Sequence, residues 1–372
     1  MKDEMLDDIL GENNSSTVVD KNNEIEKVEY KPGVGVDIGT ANIVICRQKT
    51  DGKFVNIFHR NMLYPLNISE EATDLLSKGN YLYVKSGNKF YVVGEDALSL
   101  SLAIGDGKGV IRPMRDGIIS SSLKESSELL FFIIEAIVGK PIVPQEALRY
   151  TIPANSVDKE NDNLFHQMVL GNFFKKLGYN AKPVNEAMCI IYDSGAVMKK
   201  DSEEVPLSGI ATSWGAGCVN ICLAYKGLNL VEFSCTRSGD NIDEQVEKVT
   251  GISRSQAIKI KENKLDLNNV DMNDRVQAAL SIFYDETLAR AVHHMTNKFK
   301  EKSSEMDGEI EIVVAGGTSM PKGFCDRLTQ VVKESELPFK VYRVRQAQEP
   351  FLSVSIGACI RALGDQQKSI KK

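Results

Sequence analysis

The strongest constraint on the fold is a hairpin-like pattern that occurs twice, about half a chain apart. The first copy, residues 34–47, has β-branched runs on either side of a Gly-Thr-Ala-Asn turn. The second copy, residues 209–225, has apolar runs on either side of Gly-Ala-Gly. Strand-forming residues that flank Gly and Asn predict a β-hairpin. Two such hairpins predict an internally duplicated α/β fold with a phosphate clamped between its halves.

The first predicted strand ends in a carboxylate, Asp37, within an otherwise apolar run, and Gly39 and Thr40 follow it. Backbone amides and a threonine hydroxyl can hold a phosphate, while the carboxylate reaches a metal ion bound to that phosphate. The alternative is that Asp37 only caps the turn. The second hairpin favours the phosphate interpretation.

A third glycine-rich turn, Gly316-Gly317-Thr318-Ser319, ends an apolar run and precedes a predicted helix. Adjacent glycines allow a ligand to approach the backbone closely, as a nucleoside would. The three turns together therefore predict a nucleotide site.

Composition narrows the class of protein. The length of 372 residues exceeds one ordinary core and fits two lobes, and 42% hydrophobic with 26% charged residues is typical of a soluble globular protein. A net charge of −6 gives no basic surface for nucleic acid. The seven cysteines form no Cys-x-x-Cys pair, which predicts buried thiols in a reducing cytoplasm. Without a signal peptide or a membrane-length apolar run, we expect no direct membrane insertion.

Both ends of the chain differ from its middle. Residues 1–31 are strongly acidic, with nine acids and three lysines in the first thirty positions, and we predict a disordered tail. Four apolar residues near the start would share one face of a helix, so the tail could dock an adaptor protein. The alternative is a solvated terminus. Residues 364–372 are predicted to be a short basic tail.

The order of five motifs resembles that of the prokaryotic actin-like ATPases, in the branch that includes MreB and MamK. Between and after the two hairpins lie Arg-Pro-Met-Arg-Asp-Gly (112–117), Ile-Pro-Ala-Asn (152–155) and Ala-Gly-Gly-Thr-Ser-Met-Pro (315–321). The resemblance covers residues 34–363. It implies an α/β actin-like ATPase fold with two similar lobes, or four subdomains, around a nucleotide cleft.

The resemblance also implies boundaries. The first lobe is expected at 32–208, with a small upper subdomain at about 61–112. The second lobe is expected at 209–363, with an upper subdomain at about 241–285. The short first upper subdomain favours the MreB-like branch over eukaryotic actin.

Two catalytic side chains follow from the resemblance: Asp37 as the magnesium ligand, and Glu186, at a helix start, as the residue that orients the attacking water. The alternative for Glu186 is that its charge only favours the helix N-terminus. The implied nucleotide-binding residues come from the glycine-rich turns and from helices. They are Gly39, Thr40, Ala41, Asn42, Ser213, Gly215, Ala216, Gly217, Gly239, Asp240, Lys261, Glu262, Gly316, Gly317, Thr318 and Met320. For Lys261 and Glu262, a solvated helix face is the alternative.

The second hairpin departs from the family pattern. Where the family has Asp-x-Gly-x-Gly, this chain has Ser213-Trp214-Gly215-Ala216-Gly217. A serine hydroxyl can bind water but adds no charge beside Mg²⁺, and loss of such a partner costs about 10- to 100-fold in affinity or activity. We therefore expect nucleotide binding to survive better than hydrolysis. Trp214 is either a core residue or a side chain that crowds the cleft.

The function implied by the resemblance is a cytoplasmic, cytoskeletal filament protein that polymerises with ATP and Mg²⁺ and hydrolyses ATP to ADP slowly, if at all. Its main partner is then a second copy of itself. One alternative is a nucleotide-binding scaffold of the same superfamily that does not polymerise. The other is a small-molecule kinase, for which no acceptor pocket with a dedicated base is visible in the sequence.

Overall fold

The computed structural model describes residues 29–79, 81–119, 124–160, 163–193, 197–200, 203–300 and 309–370. The predicted acidic tail lies outside these residues apart from its last three positions. Of those three, Tyr30 and Lys31 already belong to the first strand, since Tyr30 pairs with Lys49. The tail prediction therefore runs two residues into the fold.

The first half of the chain forms ten strands and five helices in its described residues. They are β1 (Tyr30–Ile38), β2 (Asn42–Lys49), β3 (Phe54–Arg60), β4 (Leu63–Asn67), α1 (Glu70–Gly79), β5 (Tyr83–Ser86), β6 (Lys89–Val93), α2 (Glu95–Ile104), β7 (Met114–Arg115), β8 (Ile118–Ile119), α3 (Lys124–Val138), β9 (Ala147–Ile152), α4 (Asn163–Lys176), β10 (Asn180–Asn185) and α5 (Glu186–Tyr192).

The second half contributes a further seven strands and five helices to the described structure. They are β11 (Val197–Lys200), β12 (Glu203–Pro206), β13 (Gly209–Trp214), β14 (Cys218–Tyr225), β15 (Leu228–Thr236), α6 (Gly239–Thr250), α7 (Arg254–Asn263), α8 (Arg275–Phe299), β16 (Glu309–Ala315), a 3₁₀ turn (Gly317–Ser319), α9 (Phe324–Glu334), β17 (Lys340–Gln346) and α10 (Ser353–Ile370).

Two five-stranded sheets share one topology. The first has the order β10-β9-β1-β2-β3 and the second has the order β15-β14-β13-β16-β17. In each sheet a central hairpin is antiparallel, a third strand continues it antiparallel, and two later strands add in parallel on the other side. Parallel additions need crossover connections, which helices supply here. The predicted duplicated α/β fold is confirmed, and we call the parts built on the two sheets the first and second lobes.

Each lobe has its own apolar core. Strand β13 is buried along its whole length, and β16 is buried from Ile310 onward, as expected for strands covered on both faces. Trp214 is fully buried in the second lobe, where its ring meets Phe324 edge-on at 5.1 Å and its Nε1 donates to Thr212 Oγ1 at 2.8 Å. Of the two alternatives for Trp214, the structure shows the core residue.

Helix starts in the second lobe follow capping chemistry. Asp274 precedes α8, and its carboxylate accepts the amides of Val276 and Gln277. Ser253 precedes α7 and forms a capping box with Gln256. In the first lobe, the small sheet β4-β6-β5 with α1 and α2 lies inside residues 61–112. The subdomain bounds themselves stay a prediction.

The C-terminal helix α10 packs on β1, β9 and α5. Its Val354 and Ala358 also belong to a buried cluster that includes residues of the second sheet. The expected assignment of residues up to 363 to the second lobe stays a prediction. The apolar face of α10 needs a sheet to cover it. Two glycines allow the contact, since a Cβ at Gly35 would lie 2.3 Å from Cys359 N and one at Gly357 would lie 1.8 Å from Cys189 O.

The predicted basic tail is the last part of α10, which continues to Ile370. Asp365 Oδ2 accepts from Arg149 Nε at 2.7 Å and also from Arg149 Nη2. Gln366 Oε1 accepts the amide of Ala147 at 2.7 Å. These contacts attach the end of the chain to β9. In the described part of the chain no helix combines the length and apolar character that crossing a bilayer requires.

We predict that Asp365→Ala lowers the free energy of unfolding by about 2 kcal/mol, because it leaves the mostly buried Arg149 guanidinium without its carboxylate. The matched control is Asp74→Ala, which removes an exposed helical ion pair to Lys78 and costs at most about 0.5 kcal/mol. Urea unfolding monitored by circular dichroism measures both. Equal effects of the two substitutions would contradict the attachment of this helix end.

Candidate nucleotide site

A cavity of about 530 Å³ lies between the two lobes. Its walls come from the β1–β2 turn, the β13–β14 turn, helix α7, the 3₁₀ turn and the start of α10. Of the residues predicted from the sequence, all but Gly239 line this cavity. They are Asp37, Gly39, Thr40, Ala41, Asn42, Glu186, Ser213, Gly215, Ala216, Gly217, Asp240, Lys261, Glu262, Gly316, Gly317, Thr318 and Met320.

The two hairpin turns meet at Gly217. Thr40 is buried, and its Oγ1 accepts the amide of Gly117 at 3.1 Å. A Cβ at Gly217 would lie 2.4 Å from both Thr40 Oγ1 and Gly117 N. Any side chain larger than hydrogen would force the turns apart. The glycine therefore fixes the distance between the lobes at the floor of the cavity.

Both turns leave backbone amides available. The turns are closed by bonds from Gly39 N to Asn42 O at 2.9 Å and from Gly215 N to Cys218 O at 3.0 Å. Within the described ranges, no protein group accepts a hydrogen bond from the amides of residues 40, 41, 216 and 217. Successive unused amides in a turn form a concave anion site. Two such turns on opposite walls suit a ligand with several phosphate groups.

The two predicted catalytic acids lie in the same cavity. Asp37 Oδ1 accepts the hydroxyl of Thr151 at 2.7 Å, and Thr151 Oγ1 accepts the amide of Ile38 at 3.2 Å. Burial raises the pKa of Asp37 above its ordinary value, and the bond from Thr151 opposes that shift. Asp37 is thus held in place, and among the residues that the structure describes it has no positively charged partner.

Glu186 begins α5, directly after the helix cap Asn185, which accepts the amide of Met188 at 3.2 Å. Its Oε2 accepts from Asn220 Nδ2 at 2.9 Å and from Ser213 Oγ at 3.4 Å. Burial raises the pKa of Glu186 strongly, and the nearby charge of Asp37 raises it further. A cation placed between these acids would favour the charged form of both.

The acids are too few to hold a metal alone. No cluster of three or more His, Cys, Asp or Glu side chains in the described segments has the arrangement of a metal site. Mg²⁺ at nucleotide sites typically uses one or two carboxylates, with phosphate oxygens and water as its other ligands. Asp37 and Glu186 fit that partial donor set, so the residues suit Mg²⁺ only together with a phosphate ligand.

Ser213 lies where the family pattern has its second carboxylate. It pairs across the hairpin with Asn220, and both side chains donate to Glu186. Both side-chain donors to Glu186 are therefore neutral, and Ser213 adds no acid to the nearby Asp37. Sequence reasoning missed Thr151 and Asn220; Thr151 directly precedes the Ile-Pro-Ala-Asn motif, whereas Asn220 carries no signal beyond its place in the hairpin.

The third glycine-rich turn, which begins at Gly316, also lines the cavity. A Cβ at Gly316 would lie 2.4 Å from Trp214 O, and φ there is 94°, so this glycine is required by the fold. Gly317 differs, because a Cβ there would meet only the Phe351 ring, at 3.8 Å. Thr318 Oγ1 donates to Gly215 O at 2.7 Å and ties this turn to the second hairpin. Gly317 thus leaves open space in the cavity wall.

Charged pairs line the remaining walls. Asp240 lies 3.0 Å from Arg112 Nη1 and 3.2 Å from Arg254 Nη2; burial pushes its pKa up, but the two guanidinium groups outweigh burial and lower it. Lys261 Nζ donates to Asp243 at 2.7 Å and to Gly239 O at 3.1 Å. Gly239 therefore supports Lys261 through its carbonyl oxygen, and its predicted role in nucleotide binding stays a prediction.

Glu262 is paired across the lobes. Both of its oxygens accept from the guanidinium group of Arg60, at 2.9 and 2.8 Å. The neighbouring Lys261 is mostly buried, so the predicted alternative of a solvated helix face is wrong for that residue. Arg60, Phe58 and Phe351 also line the cavity, and sequence reasoning missed all three.

Solved structures with the same fold cover most of this chain. The structure titled "MamK double helical filament" has 16% identity and a TM-score of 0.57, and it covers 90% of this chain and 98% of its own. MreB5 of Spiroplasma citri, solved bound to ADP, has 16% identity and a TM-score of 0.55 over 91% and 97% of the two chains. The ethanolamine utilization protein EutJ from Carboxydothermus hydrogenoformans has 14% identity and a TM-score of 0.51 over 89% and 92%.

At these identities the similarity shows the fold, and it confirms the predicted actin-like ATPase architecture. A search among curated protein sequences found no match. The family model described as volactin matches residues 33–362, which include both hairpins, Glu186 and the third glycine-rich turn. The chain therefore belongs to the volactin family.

Proposed function

We propose that this protein binds ATP or ADP with Mg²⁺ in the cavity between its lobes and assembles into cytoskeletal filaments in the cytoplasm. The observation that carries the nucleotide part is the pair of facing turns, whose amides at residues 40, 41, 216 and 217 have no acceptor within the described structure. Contact between the turns at Gly217 places these amides on both walls of one cavity.

The residues of the cavity suit each part of a nucleotide: the phosphates, their metal ion and the nucleoside. The amides of the two turns would hold the phosphates, and Asp37 and Glu186 would take the metal ion that accompanies them. The open wall at Gly317, in a cavity that Lys261 and Glu262 also line, leaves room for the nucleoside. When bound, Mg²⁺ supplies charge neutralisation of the phosphate oxygens.

Hydrolysis in this site depends on Glu186. A buried carboxylate with a raised pKa can hold a water molecule and accept its proton, and the bonds from Asn220 and Ser213 orient Glu186 for that role. Ser213 provides no second charge beside it. We therefore propose that ATP turnover is slow and that the ATP-bound state is long-lived.

Filament formation is supported by the fold. The MamK structure was solved as a double helical filament, and its fold is shared over nearly the whole of both chains. We propose self-association of this chain as its main interaction. The acidic tail is proposed as a site for an adaptor protein, and its residues 1–28 lie outside the described residues.

The first prediction from the proposed function concerns nucleotide binding. Gly317→Leu should lower ATP affinity at least about tenfold, because its side chain fills the open wall of the cavity. The fold should remain intact, since a Cβ there meets only the Phe351 ring. The matched control is Gly364→Leu on α10, where a Cβ has no neighbour within 4 Å.

Calorimetric titration with Mg-ATP measures the ATP affinity of the wild type, Gly317→Leu and Gly364→Leu. Wild type and Gly364→Leu should bind one nucleotide with equal affinity. Unchanged affinity of Gly317→Leu would show that the site lies elsewhere.

A second prediction concerns assembly. Sedimentation and electron microscopy with ATP, with ADP and without nucleotide should show filaments that depend on nucleotide. Deletion of residues 1–23 should leave assembly intact, because this stretch is acidic and has few residues that could form a core. ATP binding without any assembly would favour the scaffold alternative and contradict the filament proposal.

A third prediction concerns Ser213. Ser213→Asp should raise phosphate release about 10- to 100-fold at saturating Mg²⁺, because it restores a charge next to the metal ion and Glu186. Trp214 leaves room for the change, since its side chain packs in the core. The control Ser213→Asn has nearly the same shape without charge and should have no such effect. Brisk wild-type turnover that Ser213→Asp does not improve would refute the account of a weakened site.

A further inference from the structure

Four charged side chains connect the lobes at the edge of the cavity. Arg60, the last residue of β3, donates from Nη1 and Nη2 to both oxygens of Glu262 and from Nε to Glu95 Oε2 at 2.7 Å. Lys259 also donates to Glu95. Arg60 and Glu95 belong to the first lobe, and Lys259 and Glu262 lie on α7 of the second. We call these four residues the clasp.

The clasp is more than an exposed surface ion pair. The Arg60 side chain is only 12% exposed, and its contact with Glu262 is bidentate. Bidentate guanidinium–carboxylate pairs are stronger and more directional than single contacts between exposed charges. Glu262 is 39% exposed, so solvent weakens the pair in part.

A packed seam lies behind the clasp, between α2 of the first lobe and α7 of the second. Ser101 Oγ donates to Ser255 Oγ at 3.4 Å, and both serines are buried. Met62, Ala97 and Leu98 form one buried apolar cluster with Ile258. The lobes therefore touch along a continuous line, and the clasp forms its edge at the cavity.

We propose that the clasp controls nucleotide exchange, with Arg60 as the residue that holds it closed. This inference rests on the proposed nucleotide site. Arg60 and Glu262 both line the cavity and come from opposite lobes, so the seam cannot open at this point without separating them. Arg60 also lies opposite Asn42 of the first phosphate turn in the β2–β3 pairing.

Glu262 can serve the clasp and the nucleotide together. A carboxylate has about four acceptor positions, and Arg60 uses one on each oxygen. The hydroxyl groups of a bound ribose can donate to the remaining positions without displacing Arg60. Arg60 then acts as a positioning residue, since it fixes the orientation of Glu262 and keeps the seam shut over the nucleotide.

A reversible lock tests whether the seam must open. The double variant Ser101→Cys/Ser255→Cys can form a disulfide across the seam, because the two hydroxyl oxygens are already adjacent. After loading with a fluorescent ATP analogue, the oxidised protein should retain it in excess unlabelled ATP, and dithiothreitol should restore release. The single variants should exchange normally. Equal exchange by oxidised and reduced protein would overturn the proposal.

Substitutions at Arg60 test the clasp itself. Arg60→Met should speed dissociation of the analogue about tenfold, as expected for loss of one partly buried ion pair. Arg60→Lys keeps the charge but not the bidentate contact. Its dissociation rate should therefore lie between those of the wild type and Arg60→Met. Lys78→Met, which removes an exposed pair within α1, is the control and should release at the wild-type rate. A wild-type rate for Arg60→Met would contradict a gating role.

One readout does not depend on nucleotide. Without nucleotide, the Ser101→Cys/Ser255→Cys pair should form its disulfide more slowly when Arg60→Met is added, because the seam is open for more of the time. An equal rate would overturn the clasp whether or not ATP binds. Failure of the reduced protein to bind ATP would refute the proposed function, while this rate would still decide the clasp.

Discussion

The contact on which the rest of the structure depends is the one between the two hairpin turns. Gly217 lies against Thr40 and Gly117 with no space for a side chain. That contact sets the separation of the lobes at the cavity floor. It also brings the unused amides of both turns, Asp37 and Glu186 into one cavity. Each lobe has its own core, and the turns meet between the two cores at the floor of the site.

Much of the fold and the lining could be predicted because glycine positions report backbone geometry directly. A chain that carries two strand–glycine–strand patterns must turn at those glycines, and Gly217 and Gly316 have no room for a Cβ. The partners of the acids could not be predicted. Thr151 and Asn220 act through contacts between residues far apart in sequence, and Arg60 meets Glu262 only because the lobes close. The packing of α10 on the first sheet could not be predicted either, because its apolar face does not reveal which sheet covers it.

The two proposals together describe a site with slow hydrolysis and slow nucleotide exchange. Ser213 leaves Glu186 with neutral partners, which under our proposal slows hydrolysis. The clasp of Arg60 with Glu262, under the same proposal, slows exchange. Under these proposals, both effects would lengthen the time that intact ATP stays in the cavity. A filament built from such subunits would change state slowly, which suits a stable scaffold more than a rapidly remodelled one.

The central claim is that one nucleotide is held by both turns at once. Hydrogen–deuterium exchange measured on peptides that contain residues 39–42 and 215–217 tests it most directly, because the amides at 40, 41, 216 and 217 have no protein acceptor within the described residues. Addition of Mg-ATP should slow exchange in both peptides together and with the same dependence on nucleotide concentration. Protection of one turn alone, or of neither, would contradict the account.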